Sequence, residues 1–194
     1  MRRLVLASSS PYRRALLERL QVPFDVVRPE VDEAVSPGEA PTDYVERLAR
    51  RKAEASSGTY ADALIIGSDQ CAVLDGHILG KPQSRERART QLADCAGRAV
   101  VFHTGLCVLD TRTNEAQIAE VPYTVHFRRL EPAAIEAYLD REAPYDCAGS
   151  FKAEGLGVAL FERMEGEDPT ALIGLPLIRL SAMLRRAGLD VLAP

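Results

Sequence analysis

The first twenty residues constrain the fold more than any other stretch, because they pass from a strand pattern through a turn to a helix pattern. Arg3–Ala7 is a short apolar run of the kind found in buried strands. Three serines follow it, and Pro11 can begin a helix, since proline at the first helical position gives up no hydrogen bond. Ser10 is the natural N-cap. In such a unit, free N–H groups and the positive end of the helix dipole face one point, which favours an anion.

Arg13 adds a positively charged side chain to this anion site. Its planar guanidinium can grip two phosphate oxygens at once. Together with the hydroxyl-rich turn that Ser8 opens, it predicts a small ligand that carries phosphate. The alternative is that these side chains only cap the helix and keep it soluble. The site is not a P-loop, because the GxxxxGK[ST] pattern is absent from the sequence.

The rest of the chain predicts one α/β domain over residues 1–194, with a mixed β-sheet flanked by helices. Strands and helices alternate, but two hairpins interrupt the alternation, which argues against a purely parallel sheet. The expected strands are 24–28, 63–67, 71–74, 77–79, 99–110, 115–128 and 158–161, and the expected helices are 42–57, 84–95, 132–141 and 175–187.

Composition excludes several classes of protein. The formal net charge of −4, with acidic and basic residues interleaved, disfavours a stable nucleic-acid partner. The sequence has no apolar stretch near the roughly 20 residues of a membrane span, and it shows no signal peptide. The 4 cysteines are scattered without a CxxC pair, so we read them as reduced thiols. We therefore expect a cytoplasmic protein with no membrane partner.

Acidic residues at two places in the chain, and one lysine on an apolar helix face, are candidates for catalysis or for binding metal and phosphate. Asp69 follows the apolar strand of residues 63–67, and ligands gather at the carboxyl ends of such strands. There it could bind Mg²⁺ or take a proton from water. Glu33 or its neighbour Asp32 could supply a second metal ligand, or both could simply belong to a solvated acidic loop. Lys52 shares an apolar helix face with Val45 and Leu48, so it either reaches inward to a phosphate or extends to the edge of the core.

Two further polar positions lie in turns. Lys81 stands between Gly80 and Pro82, which suits a positioned cation as well as an ordinary turn lysine. Glu154 could accept two N–H bonds from a guanine edge, or simply belong to a surface loop. Nucleophilic serine catalysis is disfavoured, because the histidines show no triad pattern and no G-x-S-x-G elbow is present.

A set of short motifs occurs in order along nearly the whole chain. They are S-x-S-P-x-R-R at the N-terminus, D-E at 32–33, R-K-A at 51–53, G-S-D-Q at 67–70, G-K-P at 80–82, H-T-G at 103–105, A-G-S-F-K-x-E-G at 148–155 and G-L-P-L at 174–177. Together they resemble the Maf (septum formation inhibitor-like) family of nucleoside triphosphate pyrophosphatases. Ser68-Asp69-Gln70 and the 151–154 loop look most like the branch that hydrolyses 7-methyl-GTP, whereas the dTTP/UTP branch has G-A-D-T and G-K-A-G there.

The resemblance implies a fold and a set of roles. The fold is that of the inosine triphosphatase-like superfamily, with two lobes around a central cleft. The proton acceptor falls on Asp69. The positions that select the base fall on Tyr12, Gln70 and Glu154. The phosphate-binding roles fall on Ser8, Arg13, Lys52 and Lys81, and the roles of ligands to a divalent metal cation, Mg²⁺ or Mn²⁺, fall on Glu33 and Asp69.

The activity implied is that of a hydrolase of nucleotide metabolism. It cleaves 7-methyl-GTP to 7-methyl-GMP and diphosphate and so removes modified nucleotides. A dTTP/UTP pyrophosphatase and a non-catalytic regulator of cell division stay open as alternatives. The sequence also leaves open whether Asp69 ligates the metal directly or acts through a metal-bound water. Members of the resembled family are often homodimers, but no interface stripe stands out in this sequence.

Overall fold

The computed structural model describes residues 2–193, and within them seven strands form one sheet. The strands are β1 (Arg3–Ala7), β2 (Asp25–Val27), β3 (Ala63–Leu74), β4 (His77–Leu79), β5 (Ala99–Asp110), β6 (Glu115–Phe127) and β7 (Phe161–Glu165). The helices are α1 (Pro11–Glu18), α2 (Pro41–Ala55), α3 (Arg85–Cys95), α4 (Pro132–Glu142), α5 (Pro169–Ile173) and α6 (Leu177–Arg186). Three short 3-10 helices cover Ser57–Thr59, Ala148–Ser150 and Leu156–Leu160.

The sheet is mixed, as the hairpin signals predicted. Its strand order is β2-β1-β3-β5-β6-β7, and β4 pairs with β3 beside this path. Strand β1 runs parallel to both β2 and β3. Strands β4 and β7 pair antiparallel with β3 and β6. The α/β class with a mixed sheet flanked by helices is therefore confirmed.

The chain divides into two compact units. Of the described residues, the first unit holds 2–70, 104–121 and 168–193. The second holds 71–103 and 122–167. Strands β3, β5 and β6, each 12 or 13 residues long, have residues in both units.

The core of the first unit follows the period-two pattern of its strands. Leu4 and Leu6 pack on one face of the sheet in a buried cluster that includes side chains of α1 and α6. Val5 and Ala7 point to the other face and pack with Ala49 and Ala53 of α2. Both faces of β1 are therefore buried, which explains why its sequence is a continuous apolar run.

The core of the second unit is aromatic. The rings of Phe102, Phe127, Phe151 and Phe161 meet edge to face, with centroids 4.8–5.7 Å apart. Such edge-to-face pairs are the geometry that the ring quadrupole favours.

Three local predictions were wrong or incomplete. The strand expected at 63–67 runs on to Leu74. The strand expected at 158–161 is instead a 3-10 helix over Leu156–Leu160, and β7 begins only at Phe161. The helix expected at 42–57 begins one residue earlier, at Pro41, and ends at Ala55. Within residues 2–193, none of the helices combines the length and apolar character needed to cross a membrane.

Candidate active site

Polar residues lie at the edge of the sheet where the parallel pairing of strands β2, β1 and β3 ends. Ala7 pairs with Val27 of β2 and with Gly67 of β3, and these are the last parallel pairs. Ser8 follows directly after β1. The carboxyl ends of parallel strands are the usual position of ligands in open α/β sheets.

Asp69 occupies this edge but not in the way predicted. It lies inside β3, two positions past Gly67, rather than beyond the end of the strand. The reason is that β3 continues into a second half, which pairs antiparallel with β4 from Ala72 onward. Asp69 therefore lies between the parallel and the antiparallel part of one strand, and only 8% of the residue is exposed.

Lys52 lies on the buried face of α2, as its spacing from Val45 and Leu48 predicted. Its Nζ lies 2.6 Å from Asp69 Oδ1 and 2.7 Å from Glu33 Oε1. The side chains of Lys52 and Asp69 are 8% and 11% exposed, whereas that of Glu33 is 58% exposed. One buried ammonium thus joins two carboxylates, and the predicted contact of Lys52 with phosphate stays a prediction.

Two glycines let α2 approach the sheet closely enough for this contact. A Cβ atom on Gly67 would lie 2.0 Å from the carbonyl oxygen of Ala49. A Cβ atom on Gly105 would lie 2.2 Å from the carbonyl oxygen of Val45. Both distances are far below van der Waals contact, so the backbone of α2 rests on the backbones of β3 and β5. This close packing brings Lys52 within reach of Asp69.

Arg13 stands in the first turn of α1, whose N-cap is Ser10 as predicted. Its Nε donates to the carbonyl oxygen of Gly174 at 2.8 Å. Burial lowers the pKa of Arg13, and the nearby charges of Asp69 and Glu33 oppose that shift. A guanidinium desolvated in this way gains from a bound anion, which is the expected property of a phosphate site.

Ser8 is 4% exposed, and its Oγ accepts the backbone N–H of Ser10 at 3.1 Å. This hydrogen bond fixes the turn before α1. The hydroxyl hydrogen can still be donated to an anion.

A hydrogen-bond network that sequence reasoning missed supports this edge of the sheet. Ser68 Oγ lies 2.8 Å from the carbonyl oxygen of Gly105 and 2.9 Å from that of Gly174. Thr104 is fully buried, and its Oγ1 donates to the carbonyl oxygen of Ala171 at 2.9 Å. Gly174 takes φ +116°, which a residue with a side chain rarely adopts. The network thus ties α5 and Gly174, the residue after it, to β3 and β5.

Gln70 belongs to the same network. Its Nε2 lies 3.0 Å from Thr104 Oγ1, 2.7 Å from the carbonyl oxygen of Ala171 and 3.1 Å from that of Leu172. The amide nitrogen is thereby engaged within the protein. If Gln70 reads a base as predicted, it does so through Oε1, as an acceptor.

Asp168 is a second residue that sequence reasoning missed. It is 2% exposed and caps α5 through the backbone N–H of Thr170. Its other oxygen accepts the N–H of Ile178 in the first turn of α6, at 2.8 Å. The Asp168-Pro169 pair is a start signal for a helix and could have revealed this role.

The remaining predicted residues are more exposed. Tyr12 is half-buried in the first turn of α1. Lys81 and Glu154 are exposed and belong to the second unit, after β4 and in the turn before the 3-10 helix. In that turn Lys152 donates its backbone N–H to the hydroxyl of Tyr138 at 3.1 Å.

The chemistry of Glu33 and Asp69 fits a divalent cation. Both carboxylates approach one nitrogen atom within 2.7 Å, so they converge on one point. Within residues 2–193 there is no group of three or more His, Cys, Asp and Glu side chains placed to hold a metal. Two carboxylates suit Mg²⁺, which commonly takes one or two from the protein and its other ligands from water and substrate phosphates.

Comparison with known proteins identifies the family. The model of the family described as Maf-like protein matches residues 3–187. The chain belongs to the Maf-like family. A Maf-like relative from Pseudomonas syringae pv. tomato, named 7-methyl-GTP pyrophosphatase, is 60% identical over 97% of this chain and 98% of its own.

Other Maf-like relatives carry the same name. Those from Pseudomonas aeruginosa and Colwellia psychrerythraea are 55% and 50% identical, and they cover 97% and 100% of this chain and 98% and 96% of their own. Among solved structures, the Staphylococcus aureus Ham1 protein superposes with a TM-score of 0.54 at 12% identity, over 95% of this chain and 99% of that one. This likeness shows a shared fold.

Proposed function

We propose that this Maf-like protein is a nucleoside triphosphate pyrophosphatase that hydrolyses 7-methyl-GTP to 7-methyl-GMP and diphosphate. The observation that carries the proposal is the convergence of Lys52, Asp69 and Glu33 at the edge of the sheet. It occurs in a chain 60% identical, over nearly its full length, to a protein named 7-methyl-GTP pyrophosphatase. The cell would use this activity to remove modified nucleotides, and we place it in the cytoplasm with the nucleotide pool.

Asp69 is the proposed proton acceptor. Lys52 Nζ lies 2.6 Å from Oδ1 of Asp69, and we propose that Oδ2 accepts the proton of the attacking water. The water gives its proton to Asp69 and attacks the α-phosphorus, and the bond to the β-phosphate breaks. Burial of the pair keeps this geometry preorganised.

The positive groups of the site would stabilise the diphosphate that leaves. Arg13 presents a desolvated guanidinium at the N-terminus of α1, where the helix dipole adds to its charge. We propose Ser8, Lys52 and Lys81 as further phosphate ligands. A divalent cation held by Glu33 and Asp69 would neutralise charge on the phosphate oxygens.

Base selection is assigned to Tyr12, Gln70 and Glu154. Methylation at N7 makes the purine cationic, and Tyr12 can stack on it with a gain on the order of 0.5–2 kcal/mol. Glu154 would accept from the N1–H and the amino group, and its charge favours a cationic base over GTP. Gln70 can add an acceptor through Oε1.

The test is release of diphosphate from 7-methyl-GTP, GTP, dTTP, UTP and CTP with Mg²⁺ or Mn²⁺. The proposal expects a clear preference for 7-methyl-GTP, and it expects Asp69→Asn to abolish turnover without unfolding. Asp94→Asn, which neutralises an exposed carboxylate on α3, is the matched control and should keep full activity. Preference for dTTP or UTP would overturn the substrate, and no release with any nucleotide would overturn the enzyme class.

A further inference from the structure

The position of the Glu33 carboxylate depends on a segment that contains neither helix nor strand. Residues 28–40, here called the Glu33 loop, connect β2 to α2. They contain two prolines and a glycine, and most of their residues are exposed. The side chain of Glu33 is itself 58% exposed, so packing does not hold it. Its position 2.7 Å from Lys52 Nζ therefore also depends on how the main chain of the loop is held.

Two residues of α2 hold the main chain of the loop. Tyr44 donates its hydroxyl hydrogen to the carbonyl oxygen of Glu33 at 3.1 Å. Arg47 donates from Nη2 to the carbonyl oxygen of Ala34, the next residue, at 3.0 Å. Tyr44 and Arg47 are three positions apart, which places them on one helix face, and the guanidinium carbon lies 5.6 Å from the ring centroid.

Arg47 also grips the far end of the loop. Its Nε and Nη2 donate to the two carboxylate oxygens of Glu39 at 2.5 and 2.7 Å, a paired fork geometry. Glu39 Oε2 accepts the backbone N–H of Ser36 at 2.9 Å as well. The hydrogen bonds from Arg47 lower the pKa of Glu39 to about 2, so the fork stays charged at neutral pH.

We propose that Tyr44 and Arg47 are positioning residues that fix the Glu33 loop against α2 and so hold Glu33 ready to bind a divalent cation together with Asp69. Lys52 and Asp69 are buried and set by the packing of α2 on the sheet, whereas the main chain at Glu33 is held by these two half-buried residues. The cation part of this inference rests on the proposed function. The loop part does not.

Hydrogen exchange tests the loop part directly. The backbone N–H groups of Ala34, Ser36 and Glu39 are hydrogen-bonded within the loop, so their exchange reports on its order. Arg47→Gln should speed their exchange at least tenfold. Arg50→Gln, the same change at an exposed i,i+4 pair with Glu54 on the same helix, should leave it unchanged. Equal exchange in both variants would overturn the proposal.

Binding of Mn²⁺ to the protein without nucleotide, measured by calorimetry, tests the cation part. Residues that orient a metal ligand typically contribute 10–100-fold to affinity. Arg47→Gln should raise the Kd for Mn²⁺ about tenfold, and Tyr44→Phe, which removes one hydroxyl and is the milder change, should raise it roughly threefold. In a Glu33→Gln background neither change should have a further effect. No Mn²⁺ binding by the unaltered protein, or affinities within twofold of it in both variants, would overturn this part.

Kinetics separate positioning from a general structural defect. The half-saturating Mg²⁺ concentration should rise in Arg47→Gln, while the rate at saturating Mg²⁺ stays within about twofold. A fall in the saturated rate with unchanged Mg²⁺ dependence would contradict a positioning role. If the unaltered protein cleaves no nucleotide, the proposed function fails, but exchange and Mn²⁺ binding still decide the inference. Should Arg47→Gln fail to fold, Tyr44→Phe and Glu39→Gln test the same contacts.

Discussion

Replacing Lys52 by Met tests whether the buried pair with Asp69 is energetically coupled. Met keeps most of the length and volume of the lysine stem but removes its charge. Asp69 would then lose the donor that lies 2.6 Å from Oδ1, at a position where only 11% of its side chain reaches solvent. Glu33 would lose the same partner but could turn toward water, because 58% of its side chain is already exposed.

The magnitude follows from this difference. Breaking a buried ion pair by removing one partner costs about 3–5 kcal/mol, mainly because the other charge stays buried alone. Of the two carboxylates, only Asp69 would be left as a buried charge without Lys52. The loss of stability in Lys52→Met should therefore lie near the lower end of this range, at about 3 kcal/mol. Asp69→Asn should cost less, since Lys52 keeps Glu33. The double variant removes both charges of the pair and should lose only about 1 kcal/mol, a coupling of about 2 kcal/mol or more.

Urea denaturation at neutral pH measures these values, provided that the slope with urea concentration is unchanged. Arg50→Met is the control, because Arg50 pairs with Glu54 on the exposed face of the same helix. It should change stability by less than about 0.5 kcal/mol. A loss below 1 kcal/mol in Lys52→Met, or a double variant that equals the sum of the single ones, would refute the reasoning.

The remaining predictions concern base choice, helix packing and acid stability. Glu154→Ala should lower the ratio of kcat/KM for 7-methyl-GTP over GTP about tenfold or more, and equal loss on every nucleotide would contradict its role. Gly105→Ala should lower the free energy of unfolding by about 2–3 kcal/mol, because its Cβ would meet the carbonyl oxygen of Val45 at 2.2 Å; an unchanged thermal midpoint would argue against it. The guanidinium of Arg2 lowers the pKa of Asp110 to about 2, below its value in the unfolded chain, so this stabilisation is present above pH ~4 and is lost as the pH falls toward 2. Asp110→Asn should therefore be less stable than the unaltered protein by about 1–2 kcal/mol at pH 6, after allowance for screening, and the difference should vanish near pH 2 in urea titrations.

Sequence reasoning predicted the periodic elements of this fold and missed the irregular ones. Strand β1 and helix α1 begin where the apolar run and Pro11 placed them. Helix α5 has only five residues, too few to show a helical period. Strand β7 is exposed at four of its five positions, so it lacks the alternation that marks a half-buried strand.

The site shows the same division. Lys52 could be assigned to a buried face because helical spacing carries that information. The pairing of Lys52 with two carboxylates could not be predicted, because this pairing depends on how closely α2 packs on the sheet. Asp69 was assigned to the correct edge for an incomplete reason, because no local pattern shows that one strand changes partners midway. The contacts of Tyr44 and Arg47 join a loop to a helix surface, and they leave no trace in periodicity.

The two glycines under α2 bear on how such a site can evolve. Because Gly67 and Gly105 set the height of the helix by backbone contact, exchanges among the apolar side chains around them would repack the core without moving Lys52 relative to Asp69. A lineage could therefore change much of its core and retain the spacing of its charges. Substitution of either glycine, in contrast, would displace the whole helix in one step. We expect drift to be tolerated around these positions and selection to act against change at them.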